Sequence, residues 1–184
     1  MKKCVLILAV LICTMFLSAQ AEHLKFMGIP LTGTITQFQQ KLAAKGITYN
    51  KRISQAAPLG TRCFNGEFFG SRAYFVVWYD TDTKIVYGAR AVLNFDNQSE
   101  RDDKYEEMKP MLIQKYAEDE LQENTKDGLE ALQITVTDEE GNECLGYINL
   151  YRTEEDYGDI YHLHVQYLDH ANFNENQKSL MNDL

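Results

Sequence analysis

Residues 62–95 read RCFNGEFFGSRAYFVVWYDTDTKIVYGARAVLNF. Three runs rich in aromatic and β-branched residues, at about 62–69, 72–79 and 84–95, are parted by Gly70-Ser71 and by a polar turn at Thr81, Asp82 and Thr83. The stretch therefore predicts a three-strand antiparallel meander. Side chains alternate along a strand, so a one-residue slip would exchange its faces. With Gly70-Ser71 as a two-residue loop and Asp80 opposite Lys84, the two pairings agree with each other. They place Phe64, Phe68, Phe75, Val77, Tyr79, Ile85, Tyr87, Leu93 and Phe95 on one face. The other face carries Tyr74, Val76 and Trp78 on the middle strand, flanked by Val86, Val92, Asn65, Glu67, Lys84, Asn94, Arg72 and Arg90.

Upstream, Thr34 and Gln37 have the spacing of a capping box, Ile35, Phe38 and Leu42 keep helical period, and Gly46 supplies a C-terminal stop, which predicts a helix. Residues 23–31 read as an extended lead-in ended by Pro30, and 47–53 as a further strand. Downstream, a second helix starts at about Ser99, with Asp102 as its capping partner, and runs through Tyr105, Met108, Leu112 and Tyr116. Pro110 should kink or interrupt it. Strands follow at about 129–137, 143–152 and 160–169. Helix and three strands thus occur twice, in halves of about 32–96 and 97–170, with Phe38 and Leu42 aligning with Met108 and Leu112. The order implies one α+β domain over 22–184, an antiparallel sheet of six to eight strands with two main helices on one face.

The N-terminus has Lys2 and Lys3, an apolar run from Cys4 to Leu17, and Ala19 and Ala21 spaced for signal-peptidase cleavage, so 1–21 reads as a signal peptide and the mature chain begins at Glu22. The run is too short to span a bilayer, which needs about 20 apolar residues, and the mature protein is expected to be periplasmic or secreted. Ile12 before Cys13 is too bulky for a lipoprotein site. The 184-residue chain has a formal charge of −9; loss of Lys2 and Lys3 leaves 16 basic against 27 acidic residues, or −11. Such a balance argues against nucleic acid and anionic membrane surfaces as partners. Cys63 and Cys144 remain, in opposite strand phases that disfavour a bridge.

The stretch LKFMGIPLTGTITQFQQKLAAKG (24–46), with Gly60, Phe64, Gly66 and Gly70 and the run KIVYGARAVLNF (84–95), resembles small exported proteins of Bacteroidetes-type bacteria. The resemblance covers about the first half and rests on structural residues, so it implies no catalytic group. The tandem layout is also similar to the β-lactamase-inhibitor-protein-like fold, whose members bind other proteins. This chain departs from that pattern in lacking a cysteine pair within each half and in showing one clear helix per half.

His162 and His164, at i and i+2 of a strand, point to one face and are the candidate metal ligands. Tyr161, Leu163, Val165 and Tyr167 occupy the apolar phase, so the histidines read as a solvated face, with no HExxH and no obvious third ligand. His170 beside Asp169 is a candidate third ligand or acid/base pair that reads more simply as a strand-end loop, and His23 reads as a mobile terminus. Glu118, Asp119, Glu120, Glu123 and Asp127, and Glu154, Glu155, Asp156 and Asp159, read as solvated acidic loops without calcium-loop spacing. No nucleophile elbow or phosphate loop occurs. The expectation is an exported, non-catalytic protein that needs no cofactor or metal and binds a protein or other envelope macromolecule through Trp78, Tyr74, Val76, Arg72 and Arg90. The rivals are a metal- or carboxylate-dependent hydrolase and a small-ligand or lipid carrier.

Overall fold

The computed structural model describes residues 22–116, 121–126, 129–154 and 160–182. The leader read at 1–21 lies outside them, as do Glu118, Asp119, Glu120, Asp127, Glu155, Asp156 and Asp159 of the acidic segments. The lead-in is a small hairpin, β1 (Lys25–Phe26) and β2 (Ile29–Pro30), that sends Leu24, Phe26, Ile29 and Leu31 into the core. Helix α1 (Ile35–Ala43) starts as its capping box predicts: Thr34 Oγ1 accepts from the Gln37 amide, and Gln37 Oε1 from the Thr34 amide. The strand expected at 47–53 shrinks to β3 (Thr48–Tyr49). Asn50 Oδ1 accepts from the Ile53 amide and begins the short helix α2 (Lys51–Ala56), because an Asx side chain offers the backbone a cap where a strand would need pairing. The Ser54 hydroxyl then bonds both the amide and the carbonyl of Cys63, so α2 closes part of an exposed sheet edge.

Strands β4 (Thr61–Phe68), β5 (Ser71–Tyr79) and β6 (Val86–Phe95) form the predicted meander, with both pairings moved by two residues: Phe64 faces Phe75, and Phe75 faces Ala91. The first loop is Phe69-Gly70, both at positive φ (49° and 71°), the pattern that matches strand twist in a two-residue hairpin. An even shift keeps each side chain on its expected face. The exceptions are Val86 and its neighbours Ile85 and Tyr87. The sequence pattern puts Ile85 and Tyr87 in the core, but they are only half-buried and stand outside the core cluster. A bulge between Trp78 and Tyr79 turns Val86 into the core at 0% exposure, where the sequence pattern puts it outside.

Helix α3 (Gln98–Tyr116) is capped by Asn97, whose Oδ1 accepts from the Glu100 amide, in place of Ser99. It runs through Pro110 without interruption; that residue lies on the exposed side, where water can take up the carbonyl left without an amide partner. Its fully buried Arg101 pairs with Asp102 at 3.0 Å, and Asp102 also binds Arg152 at 3.1 Å. Strands β7 (Leu121–Lys126), β8 (Leu129–Thr137), β9 (Cys144–Glu154) and β10 (Tyr161–Asp169) follow. Glu123, read as part of an acidic loop, therefore lies in a strand, and Glu154 ends another.

The unit that occurs twice is thus a helix and a four-strand meander, of which β7 is the strand that the sequence does not show. The sheet order is β3-β4-β5-β6-β10-β9-β8-β7, so the two meanders meet through their last strands, with Leu93 opposite Leu163. Both main helices lie on one face: Phe38, Leu42, Tyr105, Met108 and Leu112 share one core with Phe64, Phe75, Leu93, Ile148 and Val165. Cys63 and Cys144 are free. They sit on β4 and β9, four strand spacings or about 19 Å apart, well beyond bridging distance.

A final helix, α4 (His170–Asn182), is absent from the sequence reading. Asp169 caps it by accepting from the Asn172 amide at 3.0 Å. The other Asp169 oxygen accepts from the Leu24 amide and meets His23 Nδ1, each at 3.0 Å, so His23 is fixed rather than mobile. Further along, Asn176 Nδ2 donates to Asp80 Oδ2 at 2.8 Å, tying α4 to the β5–β6 turn. Burial pushes the Asp80 carboxyl up, but hydrogen bonds from Thr83, Asn176 and Asp82 outweigh it and lower its pKa to about 2. A depressed carboxylate stabilises the fold above its unfolded pKa of about 3.9. Up to about 2 kcal/mol is therefore lost as the pH falls from about 4 through 2. Urea titrations across that range should show a smaller acid loss in Asp80→Asn than in the unaltered protein; equal losses would assign the acid sensitivity to other groups.

Candidate functional site

The sheet face opposite the helices is continuous across both halves, and strand register fixes its rows. One row runs Asn65, Tyr74, Val92, His164, Tyr151; the next runs Cys63, Val76, Arg90, Gln166, Asn149, Gln133. A third runs Thr61, Trp78, Gly88, Leu168, Tyr147, Thr135. Toward the Phe69-Gly70 hairpin, Glu67 opposes Arg72, and His162 pairs with Asn94 and Thr153. Both main helices pack on the other face, and at the β4 edge the short helix α2 meets these rows through Ser54 and Cys63. Helix α4 touches only their end, where His170 meets the edge of the Tyr147 ring at 6.0 Å.

The side chains cover one another instead. Arg90 lies with its guanidinium carbon 5.3 Å from the Trp78 ring centre and donates through Nη1 to Tyr151 Oη at 3.0 Å. Tyr151 Oη in turn donates to Gln166 Oε1 at 3.3 Å, and its ring stacks on His164 at 4.6 Å and 9°. Thr153 Oγ1 bonds His164 Nε2, and His162 Nδ1 bonds Asn94 Oδ1, each at 2.8 Å. Val92 and His164 are consequently only 0% and 7% exposed, although they face away from the core. The buried His164 corrects the reading of both histidines as a solvated pair. Tyr151 stacking and the Thr153 bond to Nε2 hold its imidazole, and among the described residues no three of His, Cys, Asp and Glu converge as metal ligands would.

Of the candidate binding residues, Trp78, Tyr74 and Arg90 are half-buried, Val76 is buried and Arg72 is exposed. All five share this face, and the cross-strand neighbours Tyr151, His164, Gln166 and Asn149 join them from the second half. The sequence could not supply that juxtaposition, because it arises from the β6–β10 pairing of strands about 75 residues apart. Burial raises the Cys63 thiol pKa against the opposing field of Arg90, which makes Cys63 a poor nucleophile. His170, the other acid/base candidate, bonds Asn174 within α4, while its neighbour Asp169 is occupied with capping.

Two hollows flank these features. One of about 900 Å³ opens at the hairpin end of the face and includes Asn65, Glu67, Arg72, Tyr74 and Asn94. Another of about 550 Å³ lies on the helix side, lined by Leu24, Pro30, Tyr116, Val136 and Leu145, with Lys41 and Lys115 among its cations. Among the described residues no helix is long and apolar enough to cross a membrane. No family model, no curated protein and no solved structure matches this chain.

Proposed function

We propose that this is an exported, non-catalytic binding protein of the bacterial cell envelope, and that it engages a partner macromolecule with the sheet face opposite the two main helices. The observation that carries the reading is the composition of that face: Trp78, Tyr74, Tyr151 and Arg90 at the middle of the sheet, with amides and hydroxyls around them. Aromatic residues and arginine are the residue types that anchor interfaces. The leader-like sequence at 1–21 and the acidic charge support export and argue against nucleic acid.

A photo-crosslinking side chain at position 74, introduced into the protein in its own cell envelope, should yield a discrete adduct. The same group at Met111, an exposed position on α3, should not. Equal adduct patterns at both positions, or none at 74, would overturn the reading. The hollow of about 550 Å³ on the helix side favours a second reading, carriage of a small anionic amphiphile, with the apolar lining taking the tail and lysines the head. Native mass spectrometry of freshly isolated protein would then show a retained ligand mass.

A further inference from the structure

We propose that the partner of this face is an acidic protein surface, one of whose carboxylates seats on Arg90. The inference rests on the reading of the face as a binding surface and names its partner chemistry. Arg90 is half-buried, donates to a neutral phenol and lies over an indole. Its Nε is buried and makes no hydrogen bond, and among the described residues no carboxylate comes within ion-pair distance of it. A cation withdrawn from water without a counter-charge is costly, and a carboxylate arriving at its outer Nη donors supplies that counter-charge and reduces the cost. The tether to Tyr151 and the contact with Trp78 hold the guanidinium in place, so little ordering is lost on binding.

The surroundings point the same way. The chain carries nine more acidic than basic residues, yet in the four rows described above the one carboxylate is Glu67, beside the hairpin. An acidic partner is repelled by the rest of the surface and admitted here, which gives orientation as well as affinity. Size favours a protein over a free sugar acid. The seven longer strands at about 4.8 Å and about eight residues of about 3.3 Å give a face near 900 Å², against about 800 Å² per partner in a standard protein interface. The aromatic rings are also partly committed, Trp78 to Arg90 and Tyr151 to His164, which leaves less bare ring for a sugar to stack on.

Trp78 is the only tryptophan in the chain and lies against Arg90, so its emission reports occupancy directly. The probe is a capped, tryptophan-free peptide alternating Glu and Val, compared with its Gln-Val counterpart and with trigalacturonate, at low ionic strength. The Glu-Val peptide should change Trp78 emission saturably and bind at least about tenfold more tightly than Gln-Val. Arg90→Gln should weaken it about tenfold, and Arg90→Lys less, because ammonium keeps charge without the fork. Should Arg90→Gln not fold by thermal melt, Tyr151→Phe keeps the charge, removes the tether, and should weaken binding severalfold.

Equal binding of the Glu-Val and Gln-Val peptides would overturn the anionic chemistry while leaving the position-74 adduct, and hence the binding face, standing. Tighter binding of trigalacturonate than of peptide would overturn the protein partner. Self-association that Arg90→Gln abolishes would replace that partner with a second copy of the chain. A missing position-74 adduct with intact peptide binding would remove the cell-envelope reading and leave the carboxylate site.

Discussion

Asp169→Ala lowers the unfolding free energy by about 2–4 kcal/mol, read as a lower midpoint in urea at unchanged slope. The carboxylate is 1% exposed and has two separate duties. One oxygen caps α4 through the Asn172 amide; the other takes the Leu24 amide and His23. Loss of a helix cap costs about 1 kcal/mol, and a buried amide left without an acceptor costs about 1–3 kcal/mol. Asp169→Asn does not rescue, since whichever way its amide points, an NH₂ group faces a backbone N–H. Burial raises the Asp169 pKa against the lowering effect of Asn172, His23 and Leu24. A raised carboxyl contributes its stability below the unfolded pKa and loses it as the pH rises through the folded value, so the deficit of the alanine variant is larger in mild acid than at neutral pH. A cost below about 1 kcal/mol, or full rescue by Asn, would mean that the N-terminal segment and α4 are held by other contacts.

Much of this architecture is legible in the sequence because local chemistry and periodicity agree. The Thr34 capping box, the alternation from Arg62 to Phe95 and the runs at 129–137 and 160–169 each specify one element, and those elements form. What escapes is decided over longer distances or by weak patterns. Thr48–Tyr49 is too short to show a period, and LQENTK in β7 has no apolar alternation, since an edge strand need not bury a full face. The C-terminal helix is held at its start and middle by polar groups, Asp169 and Asn176, rather than by a strong apolar stripe. His23 looks like a loose end until Asp169, 146 residues away, is brought beside it. The binding face is half legible: strand phase puts Trp78, Tyr74 and Arg90 together, but only the pairing of the two meanders adds Tyr151 and His164.

Phe75→Ala and Trp78→Ala should separate the two faces of the sheet on a single strand. Phe75 is 0% exposed, in the shared core, with its ring edge-on to Phe26 at 6.0 Å and to Phe68 at 6.3 Å. Its truncation leaves a cavity that packed neighbours cannot close and costs about 3–5 kcal/mol. Trp78, three residues on, points to the opposite face, is half-buried, and rests on Arg90 rather than in the core. Its truncation forfeits one cation–π contact and a partial apolar surface, about 1–2 kcal/mol. If the ring also anchors the partner, it removes upwards of about 2 kcal/mol of binding. Urea titrations give the stabilities, and acrylamide quenching should find the single tryptophan partly accessible in the free protein and shielded in the complex. The reverse outcome, a Trp78→Ala loss as large as that of Phe75→Ala with an unquenchable indole, would place Trp78 in a covered interior and leave the sheet face without its aromatic centre.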